Sequence, residues 1–200
     1  MQIDIETDIR AAGPADLGVT ARNLAAAFQD DPIFAWCVPD ARRRRRILPA
    51  FFELVGRNLG GGAGQIDLTD AGAAMWAPPG IPAVTDDAAA AFEAGMVELF
   101  GEDAGRTFEL IAVMEEHHPH DEHAYLWFLG VEPQRQGRGI GSRLLRHGLD
   151  LADRTARPAY LEATSEDNVR LYVRHGFEIV RELRAAGSPP LTAMWRPAAS

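Results

Sequence analysis

Ala124-Tyr125-Leu126-Trp127-Phe128-Leu129-Gly130-Val131 is a continuous apolar, aromatic-rich run, and Glu132-Pro133-Gln134-Arg135-Gln136-Gly137-Arg138-Gly139-Ile140-Gly141-Ser142 follows it directly. A run of that length and composition reads as a central strand buried on both faces. The glycine-rich segment then opens a helix over residues 139–156, whose Leu144, Leu145 and Leu149 share one side. Residues 158–163 form a second strand. The unit is strand, loop, helix, strand, so the two strands lie parallel and the crossover is right-handed.

Working outward, the spacing predicts a helix over residues 20–28 that closes at Asp30-Asp31-Pro32, and a second helix capped by Asp40 that reaches residue 59 despite Pro49. Ile3, Ile5 and Ile9 suggest a first strand. Residues 65–68 and 73–77 read as a hairpin, residues 85–100 (capped by Thr85) and 102–116 as helices. A short helix over 167–174 and an antiparallel pair, 177–183 with 191–196, complete the chain. The expectation is one domain over residues 1–200 of mixed α/β (α+β) class.

Composition removes several function classes. The sequence has 200 residues, a net charge of −9 and no lysine among its 20 basic residues. A Walker-type phosphate loop needs its lysine and is therefore excluded. The negative charge argues against nucleic-acid binding. The first ten residues lack a secretory pattern, and the proline-broken stretch over 71–85 is no membrane span. With the single Cys37, these point to a cytoplasmic protein without an internal disulfide. Charge is uneven: residues 98–122 carry eight acids against Arg106, whereas residues 135–146 carry four arginines and no acid. The first region suits a cation and the second an anion, unless both are only solvated faces.

Glycines at 137, 139 and 141 let the backbone approach a ligand and turn its N–H groups toward it, and the helix N-terminus adds a positive dipole end. The segment suits a phosphate or pyrophosphate. Gly137-x-Gly139-x-x-Ser142 approaches a dinucleotide fingerprint, with Glu162 about 20 residues on. However, five residues separate Val131 from the first glycine, and too few strand–helix units follow.

Gln136-Gly137-Arg138-Gly139-Ile140-Gly141 resembles the Q/R-x-x-G-x-G/A acetyl-CoA signature of the GNAT superfamily of N-acetyltransferases, and Asn168…Tyr172…Gly176-Phe177 resembles the ending of that domain. The strand over 127–131, the Glu162-Ala-Thr-Ser165 strand end and that ending are similar to the puromycin N-acetyltransferase group. The resemblance covers residues 124–196. It implies a mostly antiparallel sheet with helices on both faces and a splayed parallel central pair. It implies acetyl-CoA as co-substrate, no metal, and a small-molecule amine acceptor attacking the thioester in a ternary complex. Leu129, Gly130 and Val131 would lie beside the pantetheine arm, and the amides of Gln136, Gly137, Arg138, Gly139, Ile140, Gly141 and Ser142 around the pyrophosphate. Asn168 would hold the arm and Tyr172 would protonate the leaving thiolate. A monomer or a homodimer is expected.

Independent of that resemblance, Gly130 inside a strand marks a bulge or a close backbone approach. Tyr172 is either a packed aromatic or a proton donor. Glu162 ends an apolar strand and is a candidate general base or only orients a neighbour, with Glu115, Glu116 and Glu122 as competitors. His117, His118, His120 and His123 lack a coordination spacing because Pro119 interrupts them, so a loop beside the acceptor pocket is the expectation. Arg42–Arg46 reads as a surface cluster paired with acids such as Asp40 and Glu53. Trp36, Trp76, Phe34 and Phe92 are expected in the core or on the pocket wall, and Cys37 packed.

Overall fold

In the computed structural model, residues 8–199 are described. The strands β1 (Arg10–Ala11), β2 (Gln65–Leu68), β3 (Gly72–Ala77), β4 (Ala124–Val131), β5 (Ala159–Ala163), β6 (Glu178–Leu183) and β7 (Leu191–Arg196) form one sheet in the order β1-β2-β3-β4-β5-β7-β6. Every pairing is antiparallel except β4 with β5. That parallel pair registers only at Ala124–Ala159 and Tyr125–Tyr160. From Leu126 onward β4 has no strand partner on the β5 side among the described residues, and the expected splay opens there.

The helices are α1 (Leu17–Phe28), α2 (Pro32–Cys37), α3 (Ala41–Asn58), α4 (Asp86–Phe100), α5 (Ala104–Glu116), α6 (Ile140–Arg154) and α7 (Glu166–Val173). Ala21, Leu24, Ala25 and Phe28 of α1, with Leu48, Phe51, Phe52 and Val55 of α3, bury apolar stripes on one face of the sheet. Leu144, Leu145 and Leu149 of α6 cover the other face with Trp76, Leu126 and Leu161. Asp40 caps α3 by accepting from the Arg43 amide.

Several expectations change. Ile3 and Ile5 lie outside the described residues, and Ile9 precedes the short β1. Asp31-Pro32 begins a helix as well as ending one: Asp31 Oδ1 accepts from the Ile33 and Phe34 amides and Pro32 takes the first helical position of α2. Thr85 stands at the start of α4 without a side-chain capping bond. The arginine run is a surface cluster only in part: Arg42, Arg45 and Arg46 are exposed, but Arg43 and Arg44 turn inward. Arg44 is 5% exposed, and its guanidinium donates to the carbonyls of Gln29 and Val38 at 2.6 Å each. Arg43 pairs with Asp103, and Glu53 pairs with Arg57 instead. The loop before the helix leaves carbonyls pointing inward, and a guanidinium satisfies them while its stem packs.

Strand β4 is not buried on both faces along its length. Trp127, Phe128 and Leu129 are half-buried. The β3–β4 register slips so that Met75 faces Phe128 and Trp76 faces Leu126, leaving Trp127 as an extra residue. This bulge breaks the alternation of a strand, and both Trp127 and Phe128 face the α1–α3 side.

Candidate active site

The bulged aromatics look into a cavity of about 900 Å³ lined by α1, α2, α4, α5, the segment after α5, and the diverging strands β4 and β5. Phe28, Phe34, Phe51, Phe92, Trp127 and Phe128 form its apolar wall. The Phe92 and Trp127 rings stand 6.0 Å apart.

Glu162 lies on the cavity wall with its side chain 3% exposed. Strand alternation puts Tyr160 and Glu162 on one face of β5, and the register puts Tyr125 beside Tyr160. Tyr125 donates its hydroxyl proton to Glu162 Oε2 at 2.8 Å. Glu162 Oε1 has no hydrogen-bond partner among the described residues, and His118 Nδ1 stands 4.0 Å from it. Burial pushes the Glu162 carboxyl up to about 7, against the hydrogen bonds that favour its ionised form. It can therefore exchange a proton near neutrality, which a surface glutamate does poorly.

Tyr172 and Asn168 share one face of α7 and both border the cavity. Tyr172 is buried, and desolvation raises its hydroxyl above the ordinary value, with the Asp31 charge adding to this. It holds its proton. Asn168 Nδ2 donates to Thr164 Oγ1 at 3.2 Å, and Thr164 donates to Asp31 Oδ2. Burial raises the Asp31 carboxyl too.

Among the other acids, Glu115 and Glu122 both line the cavity with exposed side chains, Glu122 pairing with Arg157 at 2.8 Å, and Glu116 is exposed and outside the lining. Of the histidines, His118, His120 and His123 border the cavity and His117 turns back to the Val113 carbonyl. Cys37 is buried and its thiol is pushed up to about 11, so it is inert as a nucleophile at neutral pH.

The glycine loop sits where β4 ends. Gly137 (φ 73°) and Gly139 (φ 78°) are left-handed, and a side chain at either would meet nothing within 4 Å. Gly139 precedes α6, whose first-turn amides open toward that space. Gln136 folds back, its Nε2 donating to the Val131 carbonyl at 3.0 Å, and so ties the loop to the strand. Ile140 is buried and anchors the helix start. Ser142 Oγ and His175 Nε2 are hydrogen-bonded at 2.7 Å. Gly130 owes its identity to α1: a Cβ there would lie 2.7 Å from Ala27 Cβ and 3.0 Å from a Leu24 methyl. The close approach is that of a helix.

Residues 76–177, running from the end of β3 past α7, match the model of the Acetyltransferase (GNAT) family. The chain belongs to the GNAT acetyltransferase family. Its members use acetyl-CoA as acetyl donor, and the chain is an acyltransferase of that family. A Corynebacterium glutamicum protein described as histone acetyltransferase HPA2 and related acetyltransferase is 29% identical, with 97% of each chain covered and a TM-score of 0.75. Two insect structures share the GNAT fold at lower identity. Mosquito arylalkylamine N-acetyltransferase like 5b is 17% identical over 95% of this chain and 99% of its own, with a TM-score of 0.61. The Drosophila melanogaster polyamine N-acetyltransferase is 16% identical over the same shares, with a TM-score of 0.62. Within this GNAT chain, no described helix is long and apolar enough to cross a membrane.

Tyr125, Asp31 and Thr164 escaped the sequence reading. Tyr125 carried no signal beyond being apolar-compatible, and the Asp31-Pro32 pair carried a capping signal that was spent on ending α1. The two-residue spacing of Tyr160 and Glu162 in a strand is a local signal from which their shared face could be read.

Proposed function

We propose that the chain transfers the acetyl group of acetyl-CoA to the primary amine of a small molecule with a largely apolar body, the amine attacking directly in a ternary complex. The observation that carries this is Glu162: the buried carboxylate, poised near neutrality, on the wall of a largely apolar cavity whose other lining acids (Asp86, Glu93, Glu115, Asp121 and Glu122) are exposed, at the point where β4 and β5 part. A buried carboxylate beside apolar rings suits a cationic nitrogen on an apolar frame, with the exposed acids toward solvent.

Acetyl-CoA, when bound, supplies an activated acetyl group. The residues fit it: two left-handed glycines before open space, a helix N-terminus, and a strand edge without a partner. The amides of residues 137–142 would hold the pyrophosphate, and the free edge of β4 at Leu129 and Val131 would receive the pantetheine arm, with Asn168 beside it. Glu162 takes a proton from the acceptor nitrogen. Tyr172 keeps its proton on Oη for the sulfur. The apolar wall keeps water out and orients the amine.

The test is release of free CoA across arylalkylamines, agmatine and polyamines, the amines named for structures of the same fold. Arylalkylamines should give the highest kcat/KM. A higher value for a polyamine would overturn the apolar-body assignment, and acetyl-CoA binding without thiol release from any amine would overturn transferase activity.

A further inference from the structure

Asp31 caps α2, yet the cap uses only one of its carboxylate oxygens. Oδ1 accepts from the Ile33 amide at 2.9 Å and from the Phe34 amide at 3.2 Å. Oδ2 accepts instead from the hydroxyl of Thr164, which lies just past β5 and 133 positions along the chain. Thr164 Oγ1 in turn stands 3.2 Å from Nδ2 of Asn168, in the first turn of α7. Helix capping needs one side-chain acceptor, and serine or asparagine supplies it as well as aspartate does. The second carboxylate oxygen has a use that the helix does not explain.

This chain of bonds has a direction. Burial raises the Asp31 carboxyl, while the three donors around it favour its charged form. A carboxylate can only accept, and Thr164 has one hydroxyl proton, which Asp31 takes. Only lone pairs remain on Thr164 Oγ1, so the Asn168 amide turns its NH2 group toward them. An asparagine amide by itself reads either way round; here the distant carboxylate decides. Asn168 borders the cavity, and its Oδ1 has no hydrogen-bond partner among the described residues.

We propose that Asp31 is a positioning residue for the acetyl donor: acting through Thr164, it fixes Asn168 as a hydrogen-bond acceptor, and the group Asn168 receives is an amide N–H of the pantetheine arm. The inference rests on the acetyl-CoA site proposed above, in which the arm lies along the free edge of β4 with Asn168 beside it. Leu129 of that edge and Asn168 line the same cavity. A strand edge offers donors and acceptors alternately, so it does not choose one register for the arm by itself. An acceptor of fixed polarity admits an N–H and rejects a carbonyl, and the arm settles in one register. Because the amide is oriented in advance, it needs no reordering when the donor binds.

Asp31→Asn separates this role from capping. The oxygen of the new amide keeps the Ile33 and Phe34 amides, because turning its NH2 toward two N–H donors would lose the cap. Its NH2 then donates to Thr164, whose own proton goes to Asn168, and the Asn168 amide inverts. An NH2 group now meets the N–H of the arm.

Titration calorimetry reads the effect without turnover. Asp31→Asn should bind acetyl-CoA about 10-fold more weakly, as an unmade hydrogen bond requires. Adenosine 3′,5′-bisphosphate, which has no pantetheine arm, should bind it as it binds the parent, and the melting temperature without ligand should stay near the parent's. Thr164→Val frees the Asn168 amide without inverting it and should weaken acetyl-CoA binding less, by about 2- to 5-fold. In an Asn168→Ala background, Asp31→Asn should weaken acetyl-CoA binding no further. Unchanged acetyl-CoA affinity in Asp31→Asn, equal losses for the two ligands, or a full effect that persists without Asn168 each overturns the positioning role and leaves the cofactor site standing. If Asp31→Asn does not fold, Thr164→Val and Asn168→Ala decide, and additive losses in their double variant overturn the role. A parent that does not bind acetyl-CoA overturns the cofactor site, and this inference with it.

Discussion

The Tyr125 hydroxyl donates to Glu162 Oε2 at 2.8 Å, joining β4 and β5 one step beyond the last point where their main chains pair. The same bond closes the parallel pair and holds one carboxylate oxygen, leaving Oε1 buried without a hydrogen-bond partner among the described residues. Its partner residues are 37 positions apart in the chain.

Glu162 acts as base only when ionised, so kcat/KM should rise with pH through about 7, where burial has moved its carboxyl from 4.5. Glu162→Gln should lower kcat by about 10²- to 10⁴-fold and remove that limb. Stability should respond with the opposite sign to a salt-bridged acid. The folded-state pKa is raised, so the folded chain binds the proton more tightly, and this group's contribution weakens as pH rises from about 4.5 to about 7. Glu162→Gln should therefore melt increasingly above the parent between pH 5 and pH 8. A pH-independent difference would refute the buried-acid reading.

Tyr125→Phe removes a hydrogen bond that favours ionised Glu162. The rising limb of kcat/KM should move to higher pH while the plateau stays within a few-fold of the parent. A limb that shifts downward, or not at all, would mean that the bond does not tune the base.

Tyr172→Phe keeps the ring that packs on Phe177 at 5.8 Å and deletes only the hydroxyl. If that hydroxyl supplies the thiol's proton, kcat should fall about 10²-fold or more. Acetyl-CoA affinity should change little, since binding rests on backbone groups and Asn168. Near-parental kcat in this variant retires Tyr172 as the acid.

Gly139→Val forces a branched side chain into a backbone at φ 78°. The strain costs about 1–3 kcal/mol, and the side chain enters the open space before α6. The melting temperature should fall, and the further rise on adding acetyl-CoA should vanish. An undiminished rise would move the cofactor site elsewhere.

Arg44→Met keeps the apolar stem in place but leaves the Gln29 and Val38 carbonyls without their donor. Each buried orphan costs about 1–3 kcal/mol, so thermal melting should drop clearly while kcat in the surviving protein stays normal. Loss of kcat without loss of stability would give this arginine a catalytic role.

The extent of the strand at 124–131, the glycine loop, the α6 stripe and the parallel crossover were legible because each depends on neighbours a few residues away: an apolar run, glycines free to adopt positive φ, leucines on one helical side. Asn168 and Tyr172 were legible together for the same reason, being four apart on one helix. Glu162 was visible only as one carboxylate among four, since nothing local distinguishes a buried glutamate from a solvated one. The separation comes from packing: Glu122 finds Arg157 at the surface, while Glu162 finds Tyr125 and a buried place on the cavity wall. Arg44 was misjudged because the carbonyls around it arrive from elsewhere in the chain, and for Gly130 a close approach was legible but not that α1 makes it.

Sequence alone determined the order of most elements (α2 excepted), the glycine-rich loop and the family signature, because dihedral preference and periodicity act over a few residues. Tertiary structure alone decided the β4 bulge that turns Trp127 and Phe128 to one side, the link of Asp31 to Thr164 across 133 residues, and the meeting of His118 with Glu162. Each of those depends on which surfaces are excluded from water and on which distant partner fills the space, and burial is a property of the folded whole.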